Sequence, residues 1–306
     1  MDVPAPLASL PGVASLHWVR GPAAAPTSPP DLVLEVAHGA THAAHFDALR
    51  ARLRGSYPDS LRDFFLVNTD VGAPELAEEV ARAVVAAGPA RTALVVRCLL
   101  PRTFVDCNRL VDRASAATRS AAGEMTPGIV EWVRDPHDLE LLLDLHARYA
   151  ALVQAALAAC CGQGGEALLL HTYAPRSIDV PVDRDIVARL RAEYAPERLA
   201  AWPLRSAVDL ITTAPDGTRL ASERLVAAMR SACTAEGLPV AENAAYALHP
   251  STLAHAMARA HPGRTLCMEV RRDLLLEAFV PFVELTPVPA RVARVAAPLA
   301  RALART

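Results

Sequence analysis

EALLLHT, residues 166–172, reads as a buried strand that delivers an imidazole to its end. Three consecutive leucines with no turn former among them suit a strand covered on both faces, where the two-residue alternation of a half-exposed strand is lost. The segment before it, residues 137–161, is a long helical pattern. Leu139, Leu142, Leu143, Tyr149, Leu152, Val153 and Leu157 fall on or near one side of it, and Gly-Gln-Gly-Gly at 162–165 stops it. Outward from this pair the same alternation recurs. DLVLEVA (31–37), TALVVRCLL (92–100) and TLCMEV (265–270) read as further strands. Residues 74–87 place Leu76, Val80 and Val84 on one helical face, with Pro74 suited to a first turn. Residues 182–195, 219–236 (stopped by Gly237) and 251–260 read as helices, and residues 287–306 as an Arg- and Pro-punctuated tail able to end in one. Residues 1–30, rich in Pro and Ala, are expected to form a loosely structured arm with one short strand near 15–19. Strands alternating with helices predict a three-layer α/β/α domain over residues 31–306, with a central mixed, mostly parallel sheet. No internal repeat, heptad array or long linker interrupts the pattern.

Composition narrows the function classes. All 31 basic residues are arginine; there is no lysine, so Schiff-base lysine chemistry and a P-loop lysine are excluded. A net charge of −2 leaves no electrostatic footprint for nucleic acid. Every apolar run of membrane-spanning length carries charge, so no transmembrane helix is expected, and the start lacks the basic region of a signal peptide. The six cysteines form no C-x-x-C pair and read as reduced core thiols of a cytoplasmic protein.

Three apolar runs end in, or contain near their ends, a residue able to bind metal or move a proton. DLVLEVA leads into His38-Gly39, EALLL into His171, and TLCM into Glu269. In open α/β sheets ligands lie beyond the carboxyl ends of the strands, where loops converge. Two histidines and a glutamate delivered there are the parts of a metal-hydrolase site. A fourth group, Asp106-Cys107-Asn108-Arg109, follows the 92–100 strand; it offers either a structural ion pair or a guanidinium fork for a carboxylate.

These residues resemble the N-formylglutamate amidohydrolase-like family, related in fold to the zinc carboxypeptidases, over roughly residues 30–285. The likeness is carried by Ala37-His38-Gly39-Ala40, Asn68-Thr69-Asp70 before the Pro74 helix, Asp106-Cys107-Asn108-Arg109, Leu169-Leu170-His171-Thr172 and Glu269-Val270-Arg271. Tyr246, ahead of Glu269, matches a mobile tyrosine of the wider group. The resemblance implies a Zn2+ held by His38, Asp70 and His171, with Glu269 as general base on the water beside it. It implies that Arg109 grips the carboxylate of a small N-formyl or N-acyl amino acid while Asn108 orients it. Asp106 is expected to buttress Arg109, Arg102 or Arg176 to stabilise an oxyanion, and Tyr246 to cover the substrate.

Other readings stand beside this one. A metallo-carboxypeptidase or deacylase acting on a small peptide or acylated metabolite would use the same parts. Leu169 and Thr172 stand where the family pattern carries Asp and Ser, which keeps open a catalytically silent binding protein on the same scaffold. His42 and His45, four and seven residues after His38, would share its face on a helix, and His42 is an alternative ligand to Asp70. Glu35 is expected to be structural. His17, His137, His146, His249, His255 and His261 are read as surface or capping residues, and Glu75, Glu78 and Glu79 as a solvated helix face.

Overall fold

The computed structural model describes residues 7–111 and 126–304. Among them, seven strands form one sheet in the order β1-β3-β2-β4-β7-β5-β6. In chain order these are β1 (Ala14–Arg20), β2 (Leu32–Val36), β3 (Thr92–Cys98), β4 (Glu166–Tyr173), β5 (Val208–Ile211), β6 (Val240–Glu242) and β7 (Thr265–Arg271). The four central strands β3, β2, β4 and β7 run parallel. β1 closes one side antiparallel to β3, and β5 lies antiparallel to β7 with β6 parallel beside it. The sheet is mixed, and the strand expected in the N-terminal arm is its edge, paired along its whole length.

Period-two alternation divides the strand residues between two cores. Leu32, Leu34, Val36, Leu168, Leu170, Leu266, Met268 and Val270 face one way. There the helices Ala73–Ala87, Glu223–Ala235 and Pro289–Ala304 cover them. Burying each of these leucines contributes about 1.5–3 kcal/mol of transfer free energy. Val33, Leu94, Val96, Ala167, Leu169 and Cys267 face the other way. They meet Pro136–Cys161 and the shorter helices Ala43–Arg50, Leu61–Asn68, Ile186–Glu193 and Leu253–Ala260.

By length and composition Pro136–Cys161 is the one helix among the described residues apolar enough to cross a membrane. Its apolar side is instead spent on the sheet: Leu142, Leu145, Tyr149, Val153 and Leu157 are fully buried in this core. All six cysteines are buried.

Several elements depart from expectation. The helices Ala43–Arg50 and Leu61–Asn68 and the strands β5 and β6 were not legible as periodic runs. β5 and β6 have four and three residues, too few to show a period. His38 lies outside any helix, so His42 and His45 do not extend a ligand face. His42 caps Ala43–Arg50 and pairs with Glu284 at 3.0 Å, exposed and apart from the site. His146 and His255 are buried rather than superficial. The imidazole of His146 lies 2.7 Å from the Arg109 carbonyl oxygen.

Candidate active site

β4 runs two residues past His171 and β7 two past Glu269, so both side chains stand on the sheet face within the strands rather than in the loops beyond. They are cross-strand partners, and Asp209 of β5 is the next partner in the row. The apolar alternation turns polar here, and His171 and Glu269 line a cleft of about 340 Å³.

His38 sits two residues beyond β2, in a turn with no room for a side chain at Gly39. A Cβ there would lie 2.6 Å from Arg97 Cγ and 2.9 Å from the Cys98 carbonyl oxygen. Arg97 fixes this turn by donating to the Gly39 carbonyl (2.8 Å) and to Thr41 Oγ1 (3.1 Å). Asp70 comes from the junction of two helices. Thr69 ends Leu61–Asn68 and donates from Oγ1 to the Ala40 carbonyl (2.7 Å), tying the His38 and Asp70 turns together. Gly72, at φ 89°, then reverses the chain into Ala73–Ala87, a left-handed conformation that glycine adopts without strain.

The three side chains converge. Asp70 Oδ2 lies 2.9 Å from His171 Nδ1 and 3.3 Å from His38 Nδ1, and all three residues are buried. Potential donor atoms of His38, Asp70 and His171 lie within 4.8 Å of one another. Burial opposes the charge on Asp70, but His38 and His171 outweigh it and hold its carboxyl well below the usual range. Burial also disfavours a charged His171; the hydrogen bond and charge of Asp70, with Glu269 and Glu35, overcome it and raise the imidazole to about 9.

A second layer supports these groups. Asp106 Oδ1 lies 2.8 Å from His38 Nε2, while its Oδ2 accepts from Arg102 Nη2 at 2.8 Å. Arg109 approaches Asp106 only to 3.8 Å, so the main partners of Asp106 are His38 and Arg102 rather than the expected Arg109. Burial opposes ionisation of Asp106; Arg102, Arg109 and His38 together hold it well below the carboxylate range. Arg272 donates to Asp70 Oδ1 (3.3 Å) and to the Val67 and Thr172 carbonyls (2.8 and 2.9 Å).

The remaining expected residues line the same cleft. Asn108 accepts from the Ala254 amide, and its Nδ2 lies 3.4 Å from His171 Nε2. Arg109 donates from Nε to the Thr126 carbonyl and from Nη1 to the Asn108 carbonyl, both at 3.0 Å. Arg176 is committed to the Trp202 carbonyl at 2.7 Å. Tyr246 stands at the wall, 42% exposed. Glu269 is enclosed, and its Oε2 has no hydrogen-bond partner among the described residues. Burial raises its carboxyl to about 7; Asp70 adds to the rise, against the pull of His171, Arg272 and Arg205.

Sequence reasoning missed Arg205, Asp209 and Arg272. Arg272 follows the arginine of the Glu269-Val270-Arg271 motif by one residue. Arg271 itself donates to Asp273 Oδ1 and to the Arg205 carbonyl, and only the next position reaches Asp70.

Residues 30–276 match the model of a family described as N-formylglutamate amidohydrolase. Two solved structures share the fold. N-formylglutamate amidohydrolase from Ralstonia eutropha is 18% identical, with a TM-score of 0.58 over 96% of each chain. A gene product of Agrobacterium tumefaciens is 17% identical, with a TM-score of 0.51 over 96% of this chain and 94% of its own. No curated protein matches the sequence.

Proposed function

We propose that this chain, which belongs to the N-formylglutamate amidohydrolase family, is a zinc-dependent amidohydrolase that splits the amide bond of an N-formyl or other N-acyl amino acid. The observation that carries the reading is one carboxylate oxygen, Asp70 Oδ2, beside the Nδ1 atoms of both His38 and His171. The neighbouring strand sets a carboxylate with one buried, unpartnered oxygen next to them.

The donor set fits a divalent ion. Two imidazoles and one carboxylate are the ligand types of a catalytic zinc site. The arrangement that holds protons between Asp70 and the imidazoles equally suits a cation in their place, since metal binding displaces such protons. His38, Asp70 and His171 would hold the ion, and Asp106 on His38 Nε2 orients that imidazole. When bound, zinc supplies Lewis acidity, which acidifies a nearby water and polarises a carbonyl oxygen.

The protein side chains complete the reaction. Glu269 accepts a proton from the water as its oxygen attacks the acyl carbon, then passes that proton to the amide nitrogen as the C–N bond breaks. The products are a carboxylic acid (formate, for a formyl group) and a free amino acid. Burial raises the Glu269 carboxyl above the ordinary carboxylate range, which favours its accepting a proton. Arg109 receives the substrate carboxylate through its remaining guanidinium edge, and Asn108 aligns it. Arg102, held on Asp106, presents positive charge to the developing oxyanion.

The purified protein is expected to carry about one zinc per chain by elemental analysis and to release formate from an N-formyl amino acid. Chelation should abolish turnover and zinc should restore it. Full activity after complete metal removal, or no stoichiometric zinc, would sink the reading.

A further inference from the structure

Part of the cleft lining is apolar, and the proposed reaction on a formyl group makes no use of it. Phe64 and Val67 share one face of the helix Leu61–Asn68, three residues apart, and Ile186 and Leu190 share one face of Ile186–Glu193, four apart. All four are buried, and all line the cleft. The two helices are tied at the surface by Arg191 Nη2, which donates to Asp63 Oδ2 at 2.8 Å. Between β4 and the second of these helices the chain adds Ile178, Val180 and Val182 to the lining, half-buried, while the intervening Asp179 and Pro181 are exposed. Tyr194 continues the wall, with the rings of Phe279 and Phe282 at 6.1 and 5.8 Å from its own. Burial pushes the Tyr194 hydroxyl up against the pull of Arg272 and Arg205, as a dry wall requires.

His171 sets where this apolar arm stands. Its Nδ1 lies 2.9 Å from Asp70 and its Nε2 3.4 Å from Asn108, so the imidazole separates two ends of the site. Asn108 and Arg109 form one end, held by the Ala254 amide and the Thr126 carbonyl. Asp70 and Arg272 form the other, where Arg272 also donates to the Val67 carbonyl at 2.8 Å. The apolar arm therefore opens from the Asp70 end. With the substrate carboxylate on Arg109 and the scissile carbonyl between the two ends, the substituent on the acyl carbon points into the arm. A formyl group has only a hydrogen there. An aliphatic chain would leave water and bury against these side chains.

We infer that the arm lined by Phe64, Val67, Ile178, Val180, Ile186 and Leu190 is an acyl-chain subsite, and that the enzyme takes N-acyl amino acids bearing an aliphatic acyl group in preference to formyl. The inference rests on the amidohydrolase reading and names the acyl group for it. Water adds across the amide bond as before, and the products are an aliphatic carboxylic acid and the free amino acid.

The test measures kcat/KM of the zinc-loaded protein on N-formyl, N-acetyl, N-butanoyl and N-hexanoyl derivatives of glutamate and of leucine. From acetyl to hexanoyl, whose amides are similarly reactive, kcat/KM should rise by about fourfold for each methylene that becomes buried. Val180→Asp puts a charge on the half-buried stretch and should cut the hexanoyl-to-acetyl ratio by about tenfold or more. Leu190→Ala lengthens the arm and should move the preference on to N-octanoyl derivatives. Calorimetric titration supplies a readout independent of turnover: hexanoate should bind wild type about tenfold more tightly than acetate, and Val180→Asp should erase that preference. A flat or falling series from acetyl to hexanoyl, or an unchanged ratio in Val180→Asp, overturns the inference. If wild type hydrolyses no member of either series, the amidohydrolase reading fails, and the titration decides whether the arm seats an aliphatic chain: equal affinity for hexanoate and acetate overturns that as well.

Discussion

The two faces of the sheet are built from the same strands and do different work. On one, alternate residues are apolar through the middle of the strands: Leu168 and Leu170 on β4, Leu266, Met268 and Val270 on β7. On the other, the intervening positions begin apolar with Ala167, Leu169 and Cys267, then change to His171 and Glu269. A one-residue offset therefore separates a packing surface from a polar row within the same strand. The apolar face can hold the strands in register while the opposite face carries the desolvated charges, which are costly to bury alone.

Substitutions on each face should separate these roles. Glu269→Gln has the largest expected effect: kcat should fall by about 10²–10⁴-fold. Zinc content and melting temperature should be nearly unchanged, since Gln keeps the shape and the buried Oε2 of Glu269 has no hydrogen-bond partner among the described residues. A variant with full activity would show that the polar row does not carry the chemistry. On the apolar face, Leu170→Ala should cost about 3 kcal/mol in denaturant unfolding, within the range for buried leucines. Activity per folded molecule should be preserved; a selective loss of kcat would blur the division between the faces.

Asp106→Asn tests the layer behind His38, Asp70 and His171. It keeps the shape but removes the charge facing His38 and Arg102. Zinc affinity should drop about 10–100-fold, measured by competition with a chromophoric chelator.

The smallest effect concerns a buried charge on the site side of the sheet, outside the cleft. Asp138 is fully buried and accepts from the amides of Arg54 and Gly55 and from the Tyr57 hydroxyl. Burial opposes its ionisation, and these hydrogen bonds outweigh burial and lower its pKa. A folded pKa below the unfolded one means the stabilisation is present above about pH 4 and is lost as pH falls through the folded value. Asp138→Asn should cost about 1.5 kcal/mol at neutral pH and flatten the acid limb of the stability profile, with no change in kcat. An unchanged acid limb would remove this role.

The parts legible in sequence were those with enough residues to show a period or an interruption. β2, β3, β4, β7 and the helices Ala73–Ala87 and Pro136–Cys161 could be read from their apolar runs. His38, His171 and Glu269 stood out because each interrupts or closes a run. β5 was not legible, because four residues containing a buried Asp209 look polar until the amides of residues 244 and 245 are brought to that carboxylate. The pairing of His38 with Asp106 spans 68 residues and leaves no local trace. Arg205 was one arginine among 31, and its place at the cleft follows only from the fold.

The reversed direction of β5 makes it a ruler for the cleft. Running against β7, it brings the residues before it, Arg205 included, to the edge where the parallel strands finish. Its second residue, Asp209, reaches back to anchor the loop bearing Tyr246. Adding or deleting one residue between 205 and 209 would turn Asp209 toward the apolar face and release that loop. Both walls of the cleft would move together, so the length of this four-residue strand and its approach sets the spacing between Arg205 and Tyr246.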